Sequence, residues 1–237
     1  MKKLILSFIL LNCFLLVKGQ QQSSFLPQNL GEAVNSYYSE INPILSPDGK
    51  TLYFVRVNHP ENKYGDFDSQ DVWQTTMNED GSWNEAERLP DNVNIGRYNA
   101  ILSLSEDGKT ALINGIYNKA GTFWKKRGLS LIRKNNDTWT VPEPLEIAGF
   151  SKMNSGLMTN AYLSRDERML VLCFSKGINS KKQDIFISIR EGKEYSRPKK
   201  IKALNSKGVE TAPFLNAENN VIFFASNRRG KYNYDVY

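Results

Sequence analysis

A single histidine, two cysteines and scattered carboxylates bound the chemistry these 237 residues can do. His59, ahead of Pro60, is the one candidate for a histidine-dependent triad. One imidazole cannot build a multi-histidine metal site, so His59 reads as a loop residue. Cys173 lies inside the apolar run Met169 to Phe174 and reads as a small buried hydrophobe. Between Lys63 and Asp71, the three acids Asp66, Asp68 and Asp71 could offer oxygen ligands to Ca²⁺. The loop lacks the closing bidentate Glu and the spacing of a calcium loop, so it reads as a solvated acidic loop, and no metal or other cofactor is expected. Glu40 and Glu210 are the carboxylates that a glycosidase-like hydrolase would use as acid and base. Cations cluster at Lys125, Lys126 and Arg127, at Lys181 and Lys182, and at Arg228, Arg229 and Lys231.

What positions these residues is a repeat. Ser46-Pro47-Asp48-Gly49-Lys50 joins two short apolar runs, and Asp-Gly supplies the backbone freedom that a tight hairpin requires. Asp107, Asp166 and Glu218 occupy the same place in three further copies, in steps of 59, 59 and 52 residues. A third strand follows each hairpin: at Asp71-Val72-Trp73, Gly128 to Leu131, Asp184 to Ile187 and Asp235-Val236-Tyr237. A fourth follows, with an aromatic near its start at Trp83, Trp139 and Tyr195. Four short antiparallel strands repeated at this period define an all-β fold, a β-propeller of about four blades. The units run about 38–92, 93–148, 149–205 and 206–237.

The recurrence also removes candidates. Asp48, Asp107 and Asp166 share one turn, and Asp71, Asp184 and Asp235 share the start of one strand, so both sets are architectural. Glu40 and Glu210 are repeat equivalents, whereas catalytic residues should break a repeat. The basic clusters all fall between second and third strands and should emerge on one face, as the binding-surface candidate. Leu30 to Ser36 matches the connector Leu89 to Asn94, so residues 22–30 are expected as a stray outer strand. That strand closes a four-bladed ring if it completes the last blade; the expected form is an open or truncated arc.

Residues 1–19 have the basic end and short apolar run of a signal peptide and are too short to span a bilayer. Export is therefore expected, to the periplasm or cell envelope, with no transmembrane segment in the mature chain. A lipoprotein signal at Cys13 is disfavoured by Asn12 before it and by Phe14 to Val17 after it. Removing Lys2, Lys3 and Lys18 lowers the net charge from +6 to +3. With no stacking platform in the turns, no nucleic-acid partner is expected.

Ser46 to Phe54 and Phe223 to Tyr237 resemble the Pro-Asp type of WD-like repeat found in TolB-like propellers of exported bacterial envelope proteins. The resemblance implies a non-enzymatic scaffold that binds a protein or an envelope glycan. A propeller hydrolase using Glu40 and Glu210 is the alternative. The turn at Arg165-Asp166-Glu167 departs from the pattern by losing its glycine.

Overall fold

The computed structural model describes residues 27–237 apart from 123, 137, 157 and 231, with Trp124 described by its backbone alone. The expected signal peptide, Cys13, residues 22–26 and Lys231 lie outside the described residues.

Four antiparallel sheets form a four-bladed β-propeller. Blade one is β1 (Ser39–Leu45), β2 (Thr51–Val57), β3 (Gln70–Thr76) and β4 (Glu87–Arg88). Blade two is β5 (Ile101–Leu104), β6 (Thr110–Tyr117), β7 (Trp124–Asn135), β8 (Thr138–Trp139) and β9 (Glu143–Pro144). A single helical turn, α1 (Phe150–Met153), precedes blade three: β10 (Thr159–Leu163), β11 (Met169–Phe174), β12 (Asp184–Glu191), β13 (Glu194–Tyr195) and β14 (Lys199–Lys200). Blade four is β15 (Glu210–Leu215), β16 (Ile222–Ser226) and β17 (Asp235–Val236). The fourth strand is split in two: β8 and β9 both pair with β7, and β13 and β14 with β12.

The first three hairpin turns are tied by the same side-chain circuit. Ser46 Oγ donates to Asp48 Oδ1 at 2.6 Å, Lys50 N–H donates to that oxygen, and Thr51 N–H donates to Ser46 Oγ. Ser105 with Asp107 and Ser164 with Asp166 repeat it. The left-handed residue is Gly49 or Gly108 in the first two turns and Glu167, at φ 56°, in the third. Glu167 carries that conformation while its carboxylate meets Arg133 of blade two at 3.5 Å and Arg190 at 3.6 Å.

The blades hold together by burying alternate faces of their central strands. Tyr53, Val55 and Val72 of blade one pack on Ala111, Ile113 and Ile132 of blade two, with Val93 and Ile95 of the connector between them. Leu112, Leu129 and Leu131 meet Leu170, Leu172, Phe174 and Phe186 in the next interface. Val171, Cys173 and Ile185 meet Leu215 and Phe224 in the last. Polar contacts between innermost strands add register: Asn42 Nδ2 donates to Ile101 O at 2.8 Å, and Asn160 Nδ2 to Thr211 Oγ1 at 2.8 Å.

Two expectations need correcting. Val236 holds the third-strand place that is buried at Val72 and Ile185, so a core position is the reading its type and repeat place give. It is exposed instead, and among the described residues no sheet covers that face of blade four. Residues 27–30, the described part of the expected outer strand, form no strand. A turn at 31–35 follows them, with Val34 and Asn35 N–H both donating to Gly31 O. Among the described residues β17 pairs with β16 alone.

Candidate functional site

The loops between second and third strands share a face with the inter-blade connectors, and basic side chains make that contact at three blades. Lys63 Nζ lies 3.4 Å from Ile95 O and 3.5 Å from Asp91. Arg127 donates to Ser155 O and Gly156 O. Arg228 donates to Leu204 O at 2.5 Å. A guanidinium or ammonium that caps connector carbonyls fixes an otherwise irregular segment, because each buried carbonyl needs a donor.

Not all the expected cations remain available. Arg228 is committed: it pairs with Glu210 at 3.5 Å and stacks over Tyr237 and Phe224 at 4.4 and 5.1 Å. Lys125, Lys126 and Arg127 start β7 instead of lying in a loop, with Lys126 opposite Ile116. Lys125, Lys126, Lys181, Lys182 and Arg229 are all exposed. Lys231 lies outside the described residues.

Beside Arg127 the same face holds a recess of about 460 Å³ lined by Gly96, Arg97, Tyr98, Asn114, Tyr117, Arg127 and Thr159. Its residues come from the end of the first connector, the ends of β6 and β7, and the start of β10. Arg97 is positioned by stacking over Tyr64 at 4.9 Å and by donating to Phe67 O and Asp68 O. The Tyr98 hydroxyl donates to Asp68 Oδ1 at 2.6 Å, which raises its pKa, while the Tyr117 hydroxyl donates to Asn114 O. Burial pushes the Tyr117 phenol up to about 12, so it stays a neutral donor at physiological pH. The described lining residues include no carboxylate, histidine or thiol. With both phenol protons committed within the protein, the remaining guanidinium N–H groups of Arg97 and Arg127 are the donors this recess can offer a carboxylate or a sugar hydroxyl. A second cavity of about 310 Å³ lies alongside, reached by Lys119, Lys125 and Lys126.

The acidic candidates go elsewhere. Asp71 is fully buried and accepts from Lys63 N–H at 2.7 Å, Arg88 Nε at 2.6 Å and Asn99 Nδ2 at 2.9 Å. Asp184 pairs with Lys200 at 2.7 Å, so in both blades the third-strand acid locks a base on the fourth strand. Asp68 serves Tyr98 and Arg97, and Asp66 is exposed. Among the described residues no group of three or more metal-ligating side chains gathers.

Glu40 and Glu210 sit in matching latches at opposite ends of the blade series. Ser36 Oγ donates to Glu40 Oε1 at 2.5 Å, and Arg56 Nε lies 3.4 Å from it. Ser206 and Ser226 donate to Glu210, which also pairs with Arg228. Each carboxylate fastens a connector to the first strand of its blade. His59 is more built-in than its loop position implied. It packs edge-on between Tyr38 at 4.6 Å and Trp73 at 4.5 Å, and burial lowers its pKa, with Arg56 adding to the shift.

The residues missed from sequence are Arg97, Tyr98, Asn114, Tyr117 and Thr159. They belong to no charge run, and only the loss of blade repetition around them could have flagged them.

No protein-family model and no curated protein matches the chain. Among solved structures, the putative TolB from Agrobacterium tumefaciens is 18% identical with a TM-score of 0.50, over 84% of this chain and 57% of that one. Puromycin hydrolase is 14% identical with a TM-score of 0.44, over 85% of this chain and 27% of that one. The periplasmic gluconolactonase of Pseudomonas aeruginosa is 10% identical with a TM-score of 0.42, over 78% and 64%. The chain thus spans less than two thirds of each of these structures. At such identities the likeness to TolB establishes the propeller fold alone. No helix among the described residues is long and apolar enough to cross a membrane.

Proposed function

We propose that this chain is an exported, non-catalytic propeller that binds an anionic protein or envelope-glycan partner on its connector face. The observation that carries the reading is the recess holding the guanidinium groups of Arg97 and Arg127 on the same face as the exposed cations Lys125, Lys126, Lys181, Lys182 and Arg229. Fixed donors select carboxylates by geometry, and the surrounding cations speed encounter and orient the partner. The use of Glu40 and Glu210 as latches supports a binding role over hydrolysis, since both carboxylates already serve the scaffold. Export rests on the N-terminal signal pattern.

The test is affinity capture from an envelope extract with the wild-type chain and with Lys125→Glu/Lys126→Glu/Lys181→Glu/Lys182→Glu. These four side chains are exposed, so the variant should fold as the parent does. A protein or glycan retained by the parent and lost by the variant is the expected outcome. Equal capture by both would overturn the basic face as the binding surface.

A further inference from the structure

Two guanidinium groups line the connector-face recess without an acidic partner among the described residues. Elsewhere in the propeller Arg88, Arg133, Arg190 and Arg228 each pair with a carboxylate. Arg97 and Arg127 are bonded to backbone carbonyls instead, Phe67 O and Asp68 O for the first, Ser155 O and Gly156 O for the second. In both residues Nη1 makes these bonds, so Nε and Nη2 remain for a ligand. The Asp68 carboxylate is taken by the Tyr98 hydroxyl. Carbonyls satisfy the donors without cancelling their charge, and an anion set between the two side chains meets both.

The remaining lining is neutral and suits a hydroxylated ring. Asn114 is exposed, and its side-chain amide bonds to no described residue, so its acceptor and its donors are open. Thr159 Oγ1 accepts from Asn154 Nδ2 at 2.7 Å, which leaves the hydroxyl proton to donate. Tyr98 is 56% exposed, yet its ring is held by the hydroxyl bond to Asp68. An aromatic face that is both open and fixed is a flat apolar platform that loses little freedom on binding. The recess, at about 460 Å³, lies within the range of small-molecule sites.

We infer that the recess takes an acidic sugar, a pyranose ring that carries a carboxylate. The carboxylate lies between Arg97 and Arg127, the ring hydroxyls meet Asn114 and Thr159, and the apolar C–H face of the ring covers Tyr98.

Other anions use less of the site. An acidic side chain of a protein would satisfy the guanidinium groups, but its methylene stem brings no hydroxyls for Asn114 and Thr159 and no flat face for Tyr98. A neutral sugar would leave both guanidinium charges without a counter-ion. The inference rests on the anionic-partner reading and narrows it, because it assigns the recess itself to one acidic sugar residue.

The experiment is an NMR titration of the full chain with methyl β-D-glucuronide, beside methyl β-D-glucoside and glutarate. The glucoside has the ring without the carboxylate, and glutarate has carboxylates without the ring. The glucuronide should bind, and each of the other two should bind about tenfold or more weakly. Asn114→Asp sets a carboxylate against that of the ligand and should abolish binding, whereas Asn114→Ala should weaken it only a few-fold. Both variants should keep the parent's melting curve, because the side chain is exposed. A glucoside or glutarate bound as tightly as the glucuronide overturns the inference, and so does an Asn114→Asp variant that binds as the parent does. If an oligo-glutamate peptide binds and the glucuronide does not, the inference falls and the anionic-partner reading stands. If neither binds, both fall.

Discussion

Replacing Asp71 by alanine removes the acceptor that ties four pieces of blade one and its connector together. Three donors converge on this buried carboxylate: Lys63 N–H, Arg88 Nε and Asn99 Nδ2. Hydrogen bonds to a charged group contribute about 1.5–3 kcal/mol each, so the gross loss is roughly 4.5–9 kcal/mol. Two donors keep alternatives, because Arg88 retains Asp91 at 2.8 Å and Asn99 retains Gln70 O and Gly96 O. Lys63 N–H has no such substitute among its partners here, and Arg88 loses a buried counter-charge. Breaking one side of a buried pair costs about 3–5 kcal/mol, and the retained contacts place Asp71→Ala near the lower end, at about 3 kcal/mol. Asp71→Asn keeps an acceptor and loses the charge, and should fall between. Urea unfolding followed by tryptophan fluorescence reads this directly, because Trp73 lies in the affected strand. An Asp71→Ala midpoint within about 1 kcal/mol of the parent would refute the locking role. Millimolar Ca²⁺ should leave the parent's midpoint unmoved, since Asp71 is committed to Arg88. A rise would return the carboxylate to the ligand reading.

Other consequences follow from the same packing. Leu172, fully buried between blades two and three, should cost about 2–5 kcal/mol when cut to alanine, read as a lowered urea midpoint. His59 has a folded pKa below its ordinary 6.5, so its contribution is complete above that value and is lost as pH falls through the folded pKa. Melting temperature should therefore drop as pH falls below about 6.5, and His59→Phe should flatten that part of the profile. Asp48 and Asp107, whose pKa values are lowered by the Ser46 and Ser105 hydroxyls, act in a separate window below about pH 4.

The architecture was legible because its signals are local and repeated. Ser46 with Asp48 and Ser105 with Asp107 close their own turns, so residue type alone marks each hairpin. That Leu52 and Phe54 pack on one face and Tyr53 and Val55 on the other, as Leu170 and Leu172 do against Val171 and Cys173, follows from strand periodicity. The split fourth strand was not legible, because pairs such as Glu143–Pro144 are too short to carry a pattern and are fixed by pairing with β7. Val236 has the composition of a core residue, and its exposure is set by what packs on blade four and not by its own residue type. Arg228 and Arg229 look alike in a charge run, yet one is locked to Glu210 and the other is exposed. The recess was invisible for a related reason. Arg97, Asn114, Arg127 and Thr159 are brought together by the stacking of blades, across 62 residues of chain that show no common motif.

The central claim is that the connector face recognises anions through fixed donors and surrounding cations. The most direct test is the dissociation constant of a fluorescent oligo-glutamate peptide, measured by anisotropy as salt is raised through the physiological range. Exposed charges are screened over about 8 Å at physiological ionic strength. Binding by the parent should therefore weaken steadily with salt, and the Lys125→Glu/Lys126→Glu/Lys181→Glu/Lys182→Glu variant should bind weakly at every salt concentration. A parent that ignores the peptide at low salt, or binds it with an affinity that neither salt nor the four reversals change, would contradict the account.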